Sequence, residues 1–152
     1  MRVARWYCAK AQMTFSLLPD SMCAGMGGSL DEAERAVSLS EEVGVEEAAM
    51  GLRVDVVELP GALRWLRRRR LGVHAALLAL ITALPGRLGP VAEIEAVRAV
   101  LNVPRALVAL REIGATHLQV LPTPLGFDRR IVVRMKRGNR SQHETGTDKP
   151  SP

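Results

Sequence analysis

Arginine supplies most of the chemistry available to this sequence. Of its 21 basic residues, 18 are Arg, whose planar fork matches phosphate and carboxylate oxygens two at a time. Their distribution is uneven. Residues 59–152 hold sixteen basic side chains against six acidic ones, whereas residues 31–58 hold nine acids (Asp31, Glu32, Glu34, Glu41, Glu42, Glu46, Glu47, Asp55, Glu58) against Arg35 and Arg53. An acidic segment followed by a basic region favours polyanionic partners, either nucleic acid or an anionic membrane surface. A GC-rich genome would also raise Arg over Lys with no partner involved.

The remaining reactive residues do not assemble into a catalytic or metal-binding pattern. Cys8 and Cys23 have fourteen residues between them and form neither a zinc-type pair nor a disulfide framework, which suits a reducing, cytoplasmic setting. His74, His117 and His143 lie far apart, with no cysteine or carboxylate at ligand spacing. Glu93 and Glu95 fall on nearly opposite sides of a helix and cannot share a substrate. The stretch Gly25-Met-Gly-Gly-Ser29 precedes a helix start and could cradle phosphate, but it lacks the Lys-Ser/Thr of a P-loop and a clear preceding strand. The expectation is a binding protein rather than an enzyme, with no cofactor and no metal.

These side chains need a scaffold, and the sequence predicts a mainly α one with a small β-hairpin (α+β). Hydrophobic residues make up 47% and aromatics 3%, so the core must be aliphatic. Residues 1–28 show no clean period beyond a short strand near 14–18 and read as a poorly ordered arm. Ser29 followed by Glu32 forms a capping box that starts a helix at about Leu30. Ser40 followed by Glu41 and Glu42 predicts a second helix, to about Leu52. Residues 54–59 read as extended, and Pro60-Gly61 punctuates. Residues 62–70 form a helix with a basic face, with Trp65 among its five arginines, continuing or bending at Gly72 into the apolar run 71–84. That run is 14 residues long and ends at Pro85-Gly86, short of the ~20 residues a membrane span needs. It is a core helix, and no membrane association is expected. Val91, Ile94, Val97 and Leu101 mark one buried helical face, and Leu107, Leu110 and Ile113 another, ending at Gly114. The period then drops to two, predicting strands over 116–121 and 129–136.

Helix, helix, tight turn, helix, hairpin is the order of a winged helix-turn-helix. In that arrangement the third helix presents Arg105 and Arg111 to a groove, and the last strand presents Arg129, Arg130, Arg134 and Lys136 to phosphate. Arg67 and Arg68 of the run 67–70 add a second contact, or they neutralise the acidic segment within the protein. The same basic strand could instead be a solvated edge that prevents strand-to-strand association.

Residues 91–136 resemble the DNA-binding domain of MarR-like regulators. Leu107-x-x-Leu110-x-x-x-Gly114 is similar to the end of that family's recognition helix. Leu121-Pro122-Thr123-Pro124 followed by Asp128-Arg129-Arg130 is similar to its wing, where an Asp-x-Arg recurs. The resemblance implies Asp128 as a brace, Arg130 as a contact to the DNA backbone or minor groove, and Arg129 as its neighbour. The family's long C-terminal dimerisation helix has no counterpart, so a homodimer would form through the N-terminal helices.

The expected organisation is an arm over 1–28, an acidic helical segment over 29–61, a winged-helix-like basic domain over 62–137 and a disordered tail over 138–152. The expected function is nucleic-acid binding, with duplex DNA as partner and regulation of transcription as role. The alternatives are a non-enzymatic subunit of a ribonucleoprotein or nucleoprotein complex, and a winged-helix module for protein interaction.

Overall fold

The computed structural model describes residues 5–10, 12–16, 18–52 and 59–128. The described chain opens with an antiparallel hairpin, β1 (Arg5–Cys8) against β2 (Met13–Ser16), with Cys8 opposite Met13. Then come α1 (Leu30–Glu42), α2 (Val45–Gly51), α3 (Leu59–Ala83), α4 (Ile94–Leu101), α5 (Ala106–Ile113) and a 3₁₀ turn, Ala115–His117. The architecture is mainly helical, as expected.

The described part of the expected arm, residues 1–28, is structured. Beyond the hairpin, Cys23 and Ala24 are buried. Ala24 donates its N–H to Pro124 O at 2.8 Å, and Leu30 donates to Ser21 O at 2.8 Å. Apolar side chains entering the core and paired backbone groups give this loop a fixed seat.

α1 begins as the capping box predicts, with Ser29 Oγ accepting from the Glu32 N–H at 3.1 Å. It does not end where expected. Ser40 starts no second helix; its hydroxyl donates to Val37 O at 2.7 Å, and the helix continues to Glu42. The break comes at Gly44, whose φ of 90° lies where side chains are strained. α3 is one rod of 25 residues, with Pro60 in its first turn, where a missing N–H costs nothing. Gly72 is not a weak point in it. A Cβ there would lie 2.4 Å from Met26 Cε and 3.0 Å from Thr123 O, so the glycine lets two loops approach the helix.

One core draws Leu30, Ala33 and Val37 from α1, Val73, Leu77 and Leu80 from α3, Ile94 and Val97 from α4, Leu107 and Leu110 from α5, and Leu121 and Leu125 from the loop beyond. The expected boundary at 61/62 therefore does not separate two packing units, because α1 lies inside the core of the basic region. A smaller cluster of Ala36, Ala48, Ala49, Ala62 and Leu66 seats α2 against α1 and α3, its small side chains allowing close approach.

The strand expected over 116–121 is absent. That segment is the 3₁₀ turn and the turns after it, closed by Phe127 N–H on Leu118 O at 2.8 Å and Asp128 N–H on Leu121 O at 2.9 Å. Leu118, Leu121 and Leu125 are spaced three and four apart, a turn-like spacing, and Leu121 and Leu125 both reach the core. A Cβ on Gly126 would fall 2.3 Å from Leu121 O, so only glycine fits where this loop folds back on itself. The strand expected over 129–136, the tail over 138–152 and most of the extended stretch at 54–59 lie outside the described residues.

Candidate nucleic-acid interface

Arg111 is not available to a nucleic acid. It lies on the buried side of α5, 6% exposed. Its Nε donates to Leu125 O at 3.2 Å, Nη1 to Asp20 O at 2.9 Å and to Met22 O, and Nη2 to Pro124 O at 2.8 Å. Burial lowers its pKa from the usual arginine value, partly offset by Cys23 and Asp20. One guanidinium thus fastens the loop before α1 and the loop after α5 to the helix between them. The rest of α5 is similarly enclosed. Ala106, Leu107 and Leu110 are buried, Val108, Ala109 and Ile113 are half-buried, and Glu112 alone is exposed on it. α5 therefore has no polar face to lay in a groove.

Arg105 immediately precedes α5 and is exposed, its Nη1 lying 3.4 Å from Asp31. It stands in an open groove of about 400 Å³ with Asp31, Glu34, Arg35, Arg98 and Pro104. The floor of that groove is an internal device. Glu34 of α1, 2% exposed, accepts from Ala106 N–H at 3.0 Å, Leu107 N–H at 2.8 Å, and Arg98 Nε at 2.9 Å and Nη2 at 2.6 Å. Its carboxylate caps the N-terminus of α5 from across the fold, where the first N–H groups lack helical partners and the helix dipole favours negative charge. Partial burial works against the Arg98 charge, but the bonds to Glu34 outweigh it and hold the Arg98 pKa above the usual value. One helical repeat of two turns further along α1, Glu41 does the same for α4. It accepts from Ile94 N–H at 3.1 Å and meets His74 Nε2 at 2.7 Å. Two carboxylates of the acidic segment are thus engaged inside the molecule.

α3 carries the cationic surface. Arg67 and Arg68 are both exposed, as is Arg64. Arg67 pairs with Glu46 of α2 at 2.9 Å. Arg64 uses its Nε on Pro60 O at 3.3 Å, and Arg68 has no ion pair among the described residues. Between them Trp65 is 37% exposed. Sequence reasoning placed Trp65 in this helix without assigning it a role. The signal was its place off the buried stripe of Ala62, Leu66, Arg69 and Val73.

Arg69, on that stripe, is 7% exposed. Its guanidinium stacks on the Trp65 ring at 4.1 Å and donates through Nη2 to Gly27 O at 2.6 Å. The glycine-rich loop that could have held phosphate is therefore already occupied. A Cβ on Gly28 would meet Glu32 Oε2 at 2.5 Å and Arg69 Nη2 at 3.4 Å. Cys23 lies nearby with its thiol on Ser29 O at 3.2 Å, and burial raises its pKa against the opposing influence of Arg69 and Arg111. A thiol kept protonated in this way is a poor nucleophile.

Arg129, Arg130, Arg134 and Lys136 lie outside the described residues. Asp128 is half-buried at the last described position, beside Pro122 in a parallel bridge. Among the described residues no helix is long and apolar enough to cross a membrane, and no cluster of His, Cys, Asp and Glu could hold a metal ion. No family model, no curated protein and no solved structure matches the chain.

Proposed function

We propose that this chain is a non-catalytic nucleic-acid-binding protein whose main folded contact is the exposed ridge of α3. The observation that carries the reading is the pairing of Arg64 and Arg68, exposed one turn apart on the same helix and without an ion pair among the described residues. Exposed cations one turn apart can meet successive phosphates, and binding then releases condensed counterions. Farther along the basic region of the sequence, residues 129–140 add six basic side chains and no acidic one. Arg105 is a secondary contact, attenuated by Asp31.

α4 and α5, joined by residues 102–105, keep the order of a helix-turn-helix, and a winged form with 129–136 as its outer strand is the finer version of this proposal. Phosphate contact does not depend on that form, because it runs through α3 and not through α5. Regulation of transcription would require, in addition, preference for one duplex sequence.

The test is fluorescence anisotropy with labelled duplex and single-stranded oligonucleotides between about 50 and 200 mM salt. The logarithm of the binding constant should fall linearly with the logarithm of salt concentration. Replacing Arg64 and Arg68 together with Ala should weaken binding on every sequence and reduce the slope by about two. Binding to neither form, or binding with no salt dependence, overturns the proposal.

A further inference from the structure

We propose that the Trp65 indole is a stacking platform for an unpaired nucleobase, so that the α3 ridge prefers single-stranded nucleic acid to duplex. The inference rests on the nucleic-acid reading above and names the substrate class of the same surface.

The geometry around the ring is the argument. Arg69 covers one face at 4.1 Å and is itself almost wholly buried. Its Nη2 is fixed on Gly27 O, while its buried Nε and Nη1 have no hydrogen-bond partner among the described residues. Unpaired buried N–H groups are costly. The guanidinium gives one donor to Gly27 and otherwise serves as a plane against an aromatic ring, which is the use of arginine in cation–π stacking. The indole is therefore braced from the inside. Its exposure, 37% for the residue, must come from the opposite face and the rim. A large apolar side chain held open to water beside Arg64 and Arg68 offers what unpaired nucleic acid requires, a π-surface for a base and cations for the adjoining phosphates. In a duplex the base faces are already stacked on each other and cannot reach it. Stacking requires no base-specific hydrogen bond, so the platform should tolerate any base.

The experiment uses the full chain in a Trp6→Phe background, leaving Trp65 as the single tryptophan. Oligo(dT) and oligo(U) are titrated alongside a duplex of mixed sequence. The proposal expects both single strands to quench Trp65 fluorescence on binding and to bind more tightly than the duplex. Trp65→Ala should weaken single-strand binding by roughly tenfold and leave duplex affinity unchanged, while Trp65→Phe, which keeps a ring, should retain most of it. Circular dichroism of each variant verifies that the helices persist. A duplex bound as tightly as the single strands, with no quenching and no effect of Trp65→Ala, overturns the stacking platform and leaves the nucleic-acid reading standing. Binding of neither form overturns both.

Discussion

Arg111 and Arg68 look alike in the sequence, each an arginine in a predicted helix of a basic region, and the fold puts them to opposite uses. Arg111 on α5 faces inward and gives its donors to four backbone carbonyls. Arg68 on α3 faces water with no ion pair among the described residues. The difference lies in the helical stripe. Leu107, Leu110, Arg111 and Gly114 follow the spacing of one buried face, as do Leu30, Ala33, Glu34 and Val37 on α1. A charged residue on the apolar stripe is an internal strut. A charged residue on the opposite stripe is free to meet a partner.

The sharpest test of that contrast is Glu34→Ala. It removes the acceptor for two helix N–H groups and leaves Arg98 partly buried without its main counter-charge. Breaking a buried pair from one side costs about 3–5 kcal/mol, a large part of the ~5–15 kcal/mol that holds a domain together. The urea midpoint should fall accordingly, or the protein should be unfolded when purified. A midpoint unchanged by Glu34→Ala would break the comparison, because the carboxylate would then be no strut.

Arg111→Met ranks next. Methionine keeps much of the volume but leaves the carbonyls of Asp20, Met22, Pro124 and Leu125 without their shared donor. The expected loss is about 2–3 kcal/mol, read by the same denaturation. Proteolysis should show early cleavage in the loops around Met22 and Pro124, which the guanidinium fastens together. By contrast, Arg64→Ala with Arg68→Ala should move stability by no more than about 0.5 kcal/mol while weakening nucleic-acid binding. Large effects on stability from the α3 pair would place those arginines among the struts as well.

How much of this could be read in advance follows from how local each signal is. The start of α1 was legible because Ser29 and Glu32 interact three residues apart. The faces of α4 and α5 were legible because their apolar spacing fixes a side. The turn at 116–121 reads as a strand because Leu118 and Val120 alternate with polar His117 and Gln119 in a period of two, whereas the leucine spacing of three and four carries the stronger constraint. Ser40 resembles a cap but sits where α1 still has core to cover, so its hydroxyl bonds back to Val37 instead. The two carboxylate caps were out of reach of sequence, since Glu34 finds α5 more than seventy positions away. The strut role of Arg111 was partly legible, since the same spacing that marks Leu107 and Leu110 as core also marks residue 111. The ridge of Arg64, Trp65 and Arg68 follows from that rule applied to α3.

The smallest expected effect concerns an exposed pair that joins α3 to α2, Arg67 with Glu46. The hydrogen bond from Arg67, helped by a backbone hydrogen bond, lowers the Glu46 pKa below the ordinary glutamate value. A carboxylate with a depressed folded-state pKa adds stability above its unfolded pKa and loses it as pH falls through the folded one. Any contribution from this pair therefore disappears on the acid side of the ordinary glutamate range. Both side chains are largely in water, 61% and 72% exposed, and exposed pairs are weakened by salt. Carboxyl NMR titration should find Glu46 titrating below the ordinary value at low salt, and closer to that value in Arg67→Ala or in high salt, with no measurable change in the thermal midpoint. A Glu46 whose depression was undiminished without Arg67 would have to owe all of it to α2 itself, and α3 would then lose its only ion pair to α2 among the described residues.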